Sequence, residues 1–291
     1  MLVLSKDCKD YEIIDAGNGE KLERWKDVVL RRPDPQAIWP QNQENREWES
    51  PHAWYHRSAR GGGSWEYKKK LQESWIVSYK DLRFKISPTG FKHTGLFPEQ
   101  AANWDWVRER IEKSKRDDIK VLNLFAYTGG ATVASAAGGA SEVVHVDASK
   151  GMVNWAKENV EASNLSHKKI RFMVDDVIKF IKREIRRGNK YDGIIMDPPS
   201  YGRGPNGEIW KLEEALTELL ELTAQILSDD PIFVLVNSYT TGFSPIVLEN
   251  IMKVTLEKSL PKGKLYCGEI GLPITRGSMV LPCGIYGRWE K

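Results

Sequence analysis

Three carboxylates and a glycine turn, spread between residues 129 and 197 of this chain, have the types and spacing to hold a nucleoside and to act on a group beside it. In "GIIMDPPSYGRG" (193–204), the apolar run Ile194, Ile195, Met196 ends on Asp197. Pro198 and Pro199 lack the amide hydrogen a sheet ladder needs and hold the residue before each of them extended, so a strand must stop there. In open α/β sheets the carboxyl ends of strands form the ligand crevice. The Asp197 carboxylate, the carbonyls around the prolines and the Tyr201 ring are therefore expected to face a pocket, although two prolines also simply end strands. Asp147 closes "VVHVDAS" about twenty residues after the turn at Gly129 and Gly130, where a carboxylate can accept from both hydroxyls of a ribose. Charged hydrogen bonds of that kind contribute roughly 1.5–3 kcal/mol. In "VDDV", Asp175 or Asp176 stands where an adenine amino group could be read, and the register favours Asp176. Each carboxylate also precedes a helix and could equally be its N-cap. The turn in "NLFAYTGGATVASAAGGA" brings backbone amides and a helix N-terminus towards a ligand. It is not the GxGxxG dinucleotide fingerprint.

The elements that must position these groups begin near residue 117. Strand-like runs "IKVLNLFAY", "EVVHVDA", "IRFMV", "YDGIIMD", "PIFVLVNSY", "KLYCGEI" and "MVLPCGIYGRW" alternate with helical stretches "SKGMVNWAKENVEASN", "VIKFIKREIRRG" and "EIWKLEEALTELLELTAQIL". That alternation predicts an α/β fold, a mostly parallel sheet covered on both faces. The last two strands, joined by a loop containing "PITRG", are expected to form an antiparallel edge pair. Residues 1–95 differ. Short β-prone pieces "YEIIDAG", "DVVLRRP", "WEYKK" and "SWIVSYKDLRFKIS", separated by turn residues, predict a small β-rich domain ahead of a domain at 96–291. Eight of the eleven tryptophans fall within residues 1–106, another mark of a distinct unit.

Composition narrows the setting. A chain of 291 residues with formal net charge +3 allows a nucleic-acid partner without requiring one. Three scattered cysteines, at 8, 267 and 283, point to a reducing compartment and away from a disulfide framework or zinc ribbon. With no signal-like N-terminus and no run long enough to cross a bilayer, a cytoplasmic protein is expected, with no membrane partner. Residues 50–92 carry nine Lys or Arg against three acids, interleaved with Trp54, Tyr55, Trp65, Tyr67 and Trp75. Cations for phosphates and rings for unpaired bases suggest an RNA-presenting region. The same residues also suit a tryptophan core under solvated lysines. His52 and His56 have a spacing a metal could use on a helix, but no third ligand is near, so no metal is expected.

Taken together, the glycine turn, Asp147, Asp176 and Asp197 at the ends of four successive strands resemble the class I S-adenosylmethionine-dependent methyltransferases. "TGLFPEQAANW", "VLNLFAYTGG", "DDVIKF" and "MDPPSYGRG" followed by "GEIW", with "LRRPDPQAIWP" further upstream, resemble more narrowly the bacterial large-subunit ribosomal RNA cytosine and guanine methyltransferase group. The resemblance implies a Rossmann-like sheet and S-adenosylmethionine as cofactor. It implies that Phe125, Tyr127, Thr128 and Gly129 surround the methionine part, Asp147 with neighbouring Ala148 the ribose, and Asp176 the adenine. Phe97 and Gln100 would close over the cofactor. The family commonly has Asp-Gln-Arg there, whereas this chain has Glu99, Gln100 and Ala101, so the arginine's role is unfilled.

The same resemblance gives Asp197 and the Pro198 carbonyl as acceptors for the hydrogens of a planar amino nitrogen, with Tyr201 stacking on the base. Ser200 occupies the usual aromatic position, and Tyr201 comes one residue late. Methylation at a pyrimidine carbon would need an attacking cysteine. Its relatives carry one after a later strand, where this chain has "VNSYTTGFS". Asn237, Ser238 and Tyr239 are expected on the acceptor side, and Arg203 and Trp210 in a Gly-rich segment able to cover an acceptor. The leading expectation is methylation of a nitrogen of an RNA base, ribosomal RNA in the family's sense. The alternatives are the same fold acting on a protein or small molecule, and a silent RNA-binding protein. A nicotinamide oxidoreductase is disfavoured by the missing fingerprint, and oligomeric state is left open.

Overall fold

The computed structural model describes residues 1–6, 8–58, 62–90, 92–203 and 209–291. The chain divides into two compact units. One comprises Met1–Val3, Asn103–Ile270 and Gly284–Lys291, the other Leu4–Ala102 and Gly271–Cys283.

The first part of the chain is β-rich: β1 (Leu2–Leu4), β2 (Tyr11–Gly17), β3 (Glu20–Trp25), β4 (Val28–Pro33), β5 (Ala53–Arg57), β6 (Gly63–Tyr67), β7 (Trp75–Tyr79) and β8 (Leu82–Ile86). Strands then alternate with helices through α1 (Ala101–Ser114), β9 (Lys120–Leu124), α2 (Gly130–Ala137), β10 (Glu142–Asp147), α3 (Lys150–Ala162), β11 (Ile170–Val174), α4 (Val177–Arg187) and β12 (Gly193–Met196). The rest holds β13 (Tyr201–Arg203), β14 (Ile209–Lys211), α5 (Leu212–Ala224), β15 (Phe233–Ser238), α6 (Pro245–Thr255), β16 (Lys264–Pro273) and β17 (Val280–Glu290).

The large sheet runs β1-β16-β17-β15-β12-β9-β10-β11. From β15 to β11 each neighbouring pair is parallel, and β17 is antiparallel to β15. This is the expected mostly parallel sheet, with one difference: β16 is not its edge, because Leu2–Leu4 adds a further strand. Three residues beside a lysine have too little periodicity to be read as a strand.

The central strands are near-continuous apolar runs because both faces are covered. Leu122, Leu124, Val144, Val146, Ile194, Met196, Val234 and Val236 pack with Phe180, Ile181, Leu216, Leu219, Leu248 and Met252 from α4, α5 and α6. On alternate positions Asn123 and His145 break the apolar pattern, and both are buried. Thr132 of α2 joins them: Asn123 Nδ2 donates to Thr132 Oγ1 (2.9 Å), which pairs with His145 Nδ1 (2.9 Å). Burial holds the His145 imidazole neutral, with its pKa down at about 3.

The other unit holds a five-stranded sheet, β2-β3-β4-β5-β6, and the hairpin β7-β8. Sequence periodicity missed β3 and β5, whose polar residues are consumed in pairs. Arg32 of β4 bonds Glu23 of β3 (Nη2 to Oε2, 2.9 Å), which also accepts from the Tyr11 hydroxyl (3.0 Å), and all three are buried. Trp54 donates to Glu20 (2.8 Å) and carries the Arg31 guanidinium on its face at 3.7 Å. Tyr55 is buried, and Trp65 donates to the Thr89 carbonyl (2.7 Å). Of the five aromatics interleaved with the basic residues, Tyr67 is the one that is largely exposed, at 55 %. His52 lies just ahead of β5 and His56 within it, on an extended chain, not a helix: His52 Nδ1 accepts from the Val29 amide (3.0 Å) and His56 Nε2 pairs with Glu66 (2.7 Å). Among the described residues no three His, Cys, Asp or Glu side chains are grouped to hold a metal ion, and no helix is long and apolar enough to cross a membrane.

Candidate active site

The loop after β9 carries three positive φ angles, at Phe125 (54°), Tyr127 (49°) and Gly129 (83°). Two of them fall on aromatic residues, a conformation that persists only where the surroundings over-determine it and that clusters at functional sites. The surroundings do so here. The Ala126 amide donates to the Val146 carbonyl (3.0 Å) and the Tyr127 amide to Asp147 Oδ2 (2.8 Å). Asn159 of α3 donates to the Thr128 carbonyl (2.8 Å), and Gly129 closes the turn onto Ala126 (2.9 Å). A Cβ on Gly129 would lie 2.9 Å from the Ala156 methyl, so α3 can approach only a glycine. Gly129→Ala is accordingly expected to cost about 2 kcal/mol, from the left-handed backbone and the overpacking together, read as a lower midpoint in urea unfolding with unchanged slope.

Asp147 ends β10 half-buried. Its Oδ1 accepts from the Ser149 amide (2.8 Å) and its Oδ2 from Tyr127, so each oxygen has one amide hydrogen. A carboxylate oxygen can accept two, which leaves capacity on both for a pair of hydroxyls. Burial pushes this carboxyl above its ordinary range, against the pull of the Ser149 and Tyr127 amides. Ala148 follows, exposed at the strand end. The structure therefore brings Phe125, Tyr127, Thr128, Gly129, Asp147 and Ala148 together around one loop.

The two aspartates after β11 divide their duties. Asp175 forms an ion pair with Arg183. Asp176 is the N-cap of α4, accepting from the Lys179 amide through Oδ1 (2.8 Å), and its carboxylate is exposed beside the Asp147 strand end. The capping role is real, and it engages one oxygen of the two.

Asp197 follows β12, between the β9 loop and the end of β15, with its amide 3.4 Å from the Leu124 carbonyl. The carbonyls behind it are mostly committed. Pro199 accepts from the Trp210 indole (2.7 Å) and Ser200 from the Leu212 amide (3.1 Å), whereas the Pro198 carbonyl has no donor among the described residues. Tyr201 opens β13, which pairs antiparallel with β14, and it is 51 % exposed. The strand β14 takes Ile209–Lys211 out of the helix expected to start there, because Trp210 is drawn back onto Pro199. The Trp210 ring also packs on Phe125 at 5.4 Å, linking the acceptor lip to the β9 loop. Residues 204–208, in the segment expected to cover an acceptor, lie outside the described residues.

Some expected residues are occupied elsewhere. Asn237 is buried and accepts from Asn103 (2.8 Å), whose own oxygen accepts from Arg288. Ser238 is buried too, accepting from the Thr240 amide (3.3 Å). Phe97 and Gln100 belong to the other unit, where Phe97 packs on His93 at 5.3 Å and Gln100 is buried in a 3₁₀ turn. Asn159 and the Asn123–Thr132–His145 chain were missed by sequence reasoning. The available signal was a polar residue at a core position of an otherwise amphipathic or apolar element.

A family model described as S-adenosylmethionine-dependent methyltransferase matches residues 47–244. The crystal structure of a SAM-dependent methyltransferase from Agrobacterium tumefaciens is 36 % identical, aligns over all of this chain and 93 % of its own, and superposes with a TM-score of 0.92. The ribosomal RNA large subunit methyltransferase K/L of Shewanella frigidimarina is 35 % identical over 154 residues, 53 % of this chain and 21 % of that protein. The ribosomal RNA large subunit methyltransferase I of an Enterobacter species is 45 % identical over 120 residues, 41 % of this chain and 29 % of that protein. The chain thus spans about a fifth to a third of the length of the curated relatives it matches.

Proposed function

The chain belongs to the S-adenosylmethionine-dependent methyltransferases, and from that premise we propose that it methylates a nitrogen of a base in RNA, with ribosomal RNA of the large subunit as the substrate class. The observation that carries the nitrogen is the acceptor lip. Asp197 and the Pro198 carbonyl stand next to the β9 loop, while the two carbonyls after them are bonded within the lip. The substrate class is supported by the names of the curated relatives, and less by the 50–92 region, where most of the aromatics are packed.

S-adenosylmethionine, when bound, supplies an electrophilic methyl carbon on a positively charged sulfur. In this reading Phe125, Tyr127, Thr128 and Gly129 hold its methionine part, Asp147 beside Ala148 its ribose, and Asp176 its adenine edge. Asp197 and Pro198 accept the two hydrogens of an exocyclic amine and turn the nitrogen lone pair towards the methyl carbon. Tyr201 stacks on the base. Such alignment lowers the barrier without any covalent intermediate on the protein. The proton that the nitrogen sheds on methylation would pass to the Asp197 carboxylate and then to water. Attack by a thiolate on a ring carbon is disfavoured: burial pushes the Cys267 thiol up to about 12 and the Cys283 thiol well above its ordinary value, and Ser238 stands at the end of β15.

The test is incubation of the full chain with methyl-tritiated cofactor and protein-free large-subunit ribosomal RNA, followed by nuclease digestion and mass spectrometry of the nucleosides. An N-methylated base is expected. A 5-methylpyrimidine would overturn the choice of nitrogen, and label absent from the RNA would overturn the substrate.

A further inference from the structure

Helix α4 has a strongly two-sided surface. Val177, Phe180, Ile181 and Glu184, at i, i+3, i+4 and i+7, are buried against the sheet. Lys179, Lys182, Arg186 and Arg187 are exposed on the other side, Lys182 paired with Glu218 of α5 (3.0 Å). Cations therefore recur about once per turn, every ~5.4 Å, along a helix ~16 Å long. Residues 167–190 as a whole carry nine Lys or Arg against three acids. Those acids are engaged. Glu184 is wholly buried, accepting from the Tyr191 hydroxyl (2.6 Å) and Asn189 (2.8 Å) and pairing with Arg187 (3.1 Å). Asp175 pairs with Arg183, and Asp176 caps the helix.

The helix starts at the carboxyl end of β11, on the crevice side of the sheet, and runs back to the amino ends of the strands. There a recess of about 270 Å³ opens, lined by Lys120, Lys169, Arg171 and Lys190 with Glu142 as their one carboxylate. Glu142 pairs with Lys169 (2.6 Å) and Arg171 (3.4 Å), which hold its carboxyl below the usual range in spite of the burial that raises it. Four cations around a single ionised carboxylate leave a clear positive surplus. Cations on an exposed end strand also deter pairing with another chain. That reason covers Lys169 and Arg171 on and beside β11, but not the outer face of α4, which has no ladder edge to protect.

We propose that the outer face of α4 and the recess at its end form a phosphate-binding track for the RNA backbone, leading along the β11 side of the sheet away from the crevice. The proposal rests on the RNA reading above. Backbone contacts of this kind position a substrate without reading its sequence, and each phosphate neutralised adds to the salt dependence of binding.

The experiment compares the full-length wild type with a Lys120→Gln/Arg186→Gln/Lys190→Gln variant, using labelled protein-free large-subunit ribosomal RNA as probe across a potassium chloride series. None of the three residues touches the cofactor loop or the acceptor lip. Loss of three contacts is expected to weaken RNA about tenfold or more at moderate salt and to flatten the plot of log K against log salt by about 2. Affinity for S-adenosylhomocysteine and the thermal midpoint should stay at wild-type values. A Lys120→Arg/Lys190→Arg variant should keep both affinity and slope. Equal affinity and slope in the wild type and the glutamine variant would overturn the track and leave the RNA reading standing. A wild type that shows no salt-dependent RNA binding would remove the RNA reading, and the track with it.

Discussion

Asp197→Ala is expected to lower kcat by roughly 10²- to 10⁴-fold, the range for losing a group that handles the reacting proton, while the dissociation constant of S-adenosylhomocysteine stays within about twofold. The separation follows from where the residue stands. Asp197 follows β12, while the hydrogen bonds that shape the loop after β9 come from Val146, Asp147 and Asn159. Asp197→Asn divides two roles that alanine merges. An amide keeps one oxygen able to accept an N–H but cannot take up the proton at neutral pH. If orientation of the amine dominates, the asparagine variant should lie within about tenfold of wild type. If proton removal dominates, it should fall to the level of alanine. Full turnover of a methylated RNA product in the alanine variant would remove Asp197 from the catalytic assignment.

The parts of this architecture that were legible in sequence are those where one strong local signal decides. Buried parallel strands read as apolar runs, and β9, β10, β11, β12 and β15 all lie within the expected segments. The carboxylates at their ends were legible for the same reason, since the strand end dictates the place of the next polar group. Elements stabilised by partners distant in sequence were not. Strand β3 reads as "EKLERW", and its Glu23 makes sense in a core only once Arg32 and Tyr11 stand beside it. Helix α6 went unread because its N-cap, Ser244 before Pro245, sits in a stretch that looks like continued loop. Similarly, Asn237 looked like an acceptor-side residue. Its amide is instead tied to Asn103 and through it to Arg288, 134 and 185 residues apart along the chain for the two bonds. Asp176 shows the opposite case: both readings of it were visible in sequence, and the structure assigns one oxygen to the cap while leaving the other exposed.

The largest binding effect is expected at Asp147. Asp147→Ala should weaken S-adenosylhomocysteine by about 100-fold or more in titration calorimetry, the equivalent of two charge-assisted hydrogen bonds at the lower bound of about 1.5 kcal/mol each. The same change frees the Tyr127 and Ser149 amides, so part of the loss comes through the loop. A pH series separates the two contributions. Burial raises the Asp147 carboxyl in the folded protein, so the folded state takes up this proton at a higher pH than the unfolded chain does. For this group alone, the unliganded protein therefore gains stability as pH falls through the raised value, and loses that gain as pH rises through it. Cofactor affinity runs the other way, because hydroxyl donors need the ionised carboxylate and affinity falls as the proton arrives. From about pH 7 to pH 4 the wild type should thus lose affinity for S-adenosylhomocysteine with a transition above the ordinary aspartate range, near 3.9. Asp147→Asn, which has no proton to gain, should bind weakly throughout that range and lack the transition. Parallel pH profiles for the two proteins would mean that another group titrates, and that Asp147 acts on the cofactor only through the loop it holds.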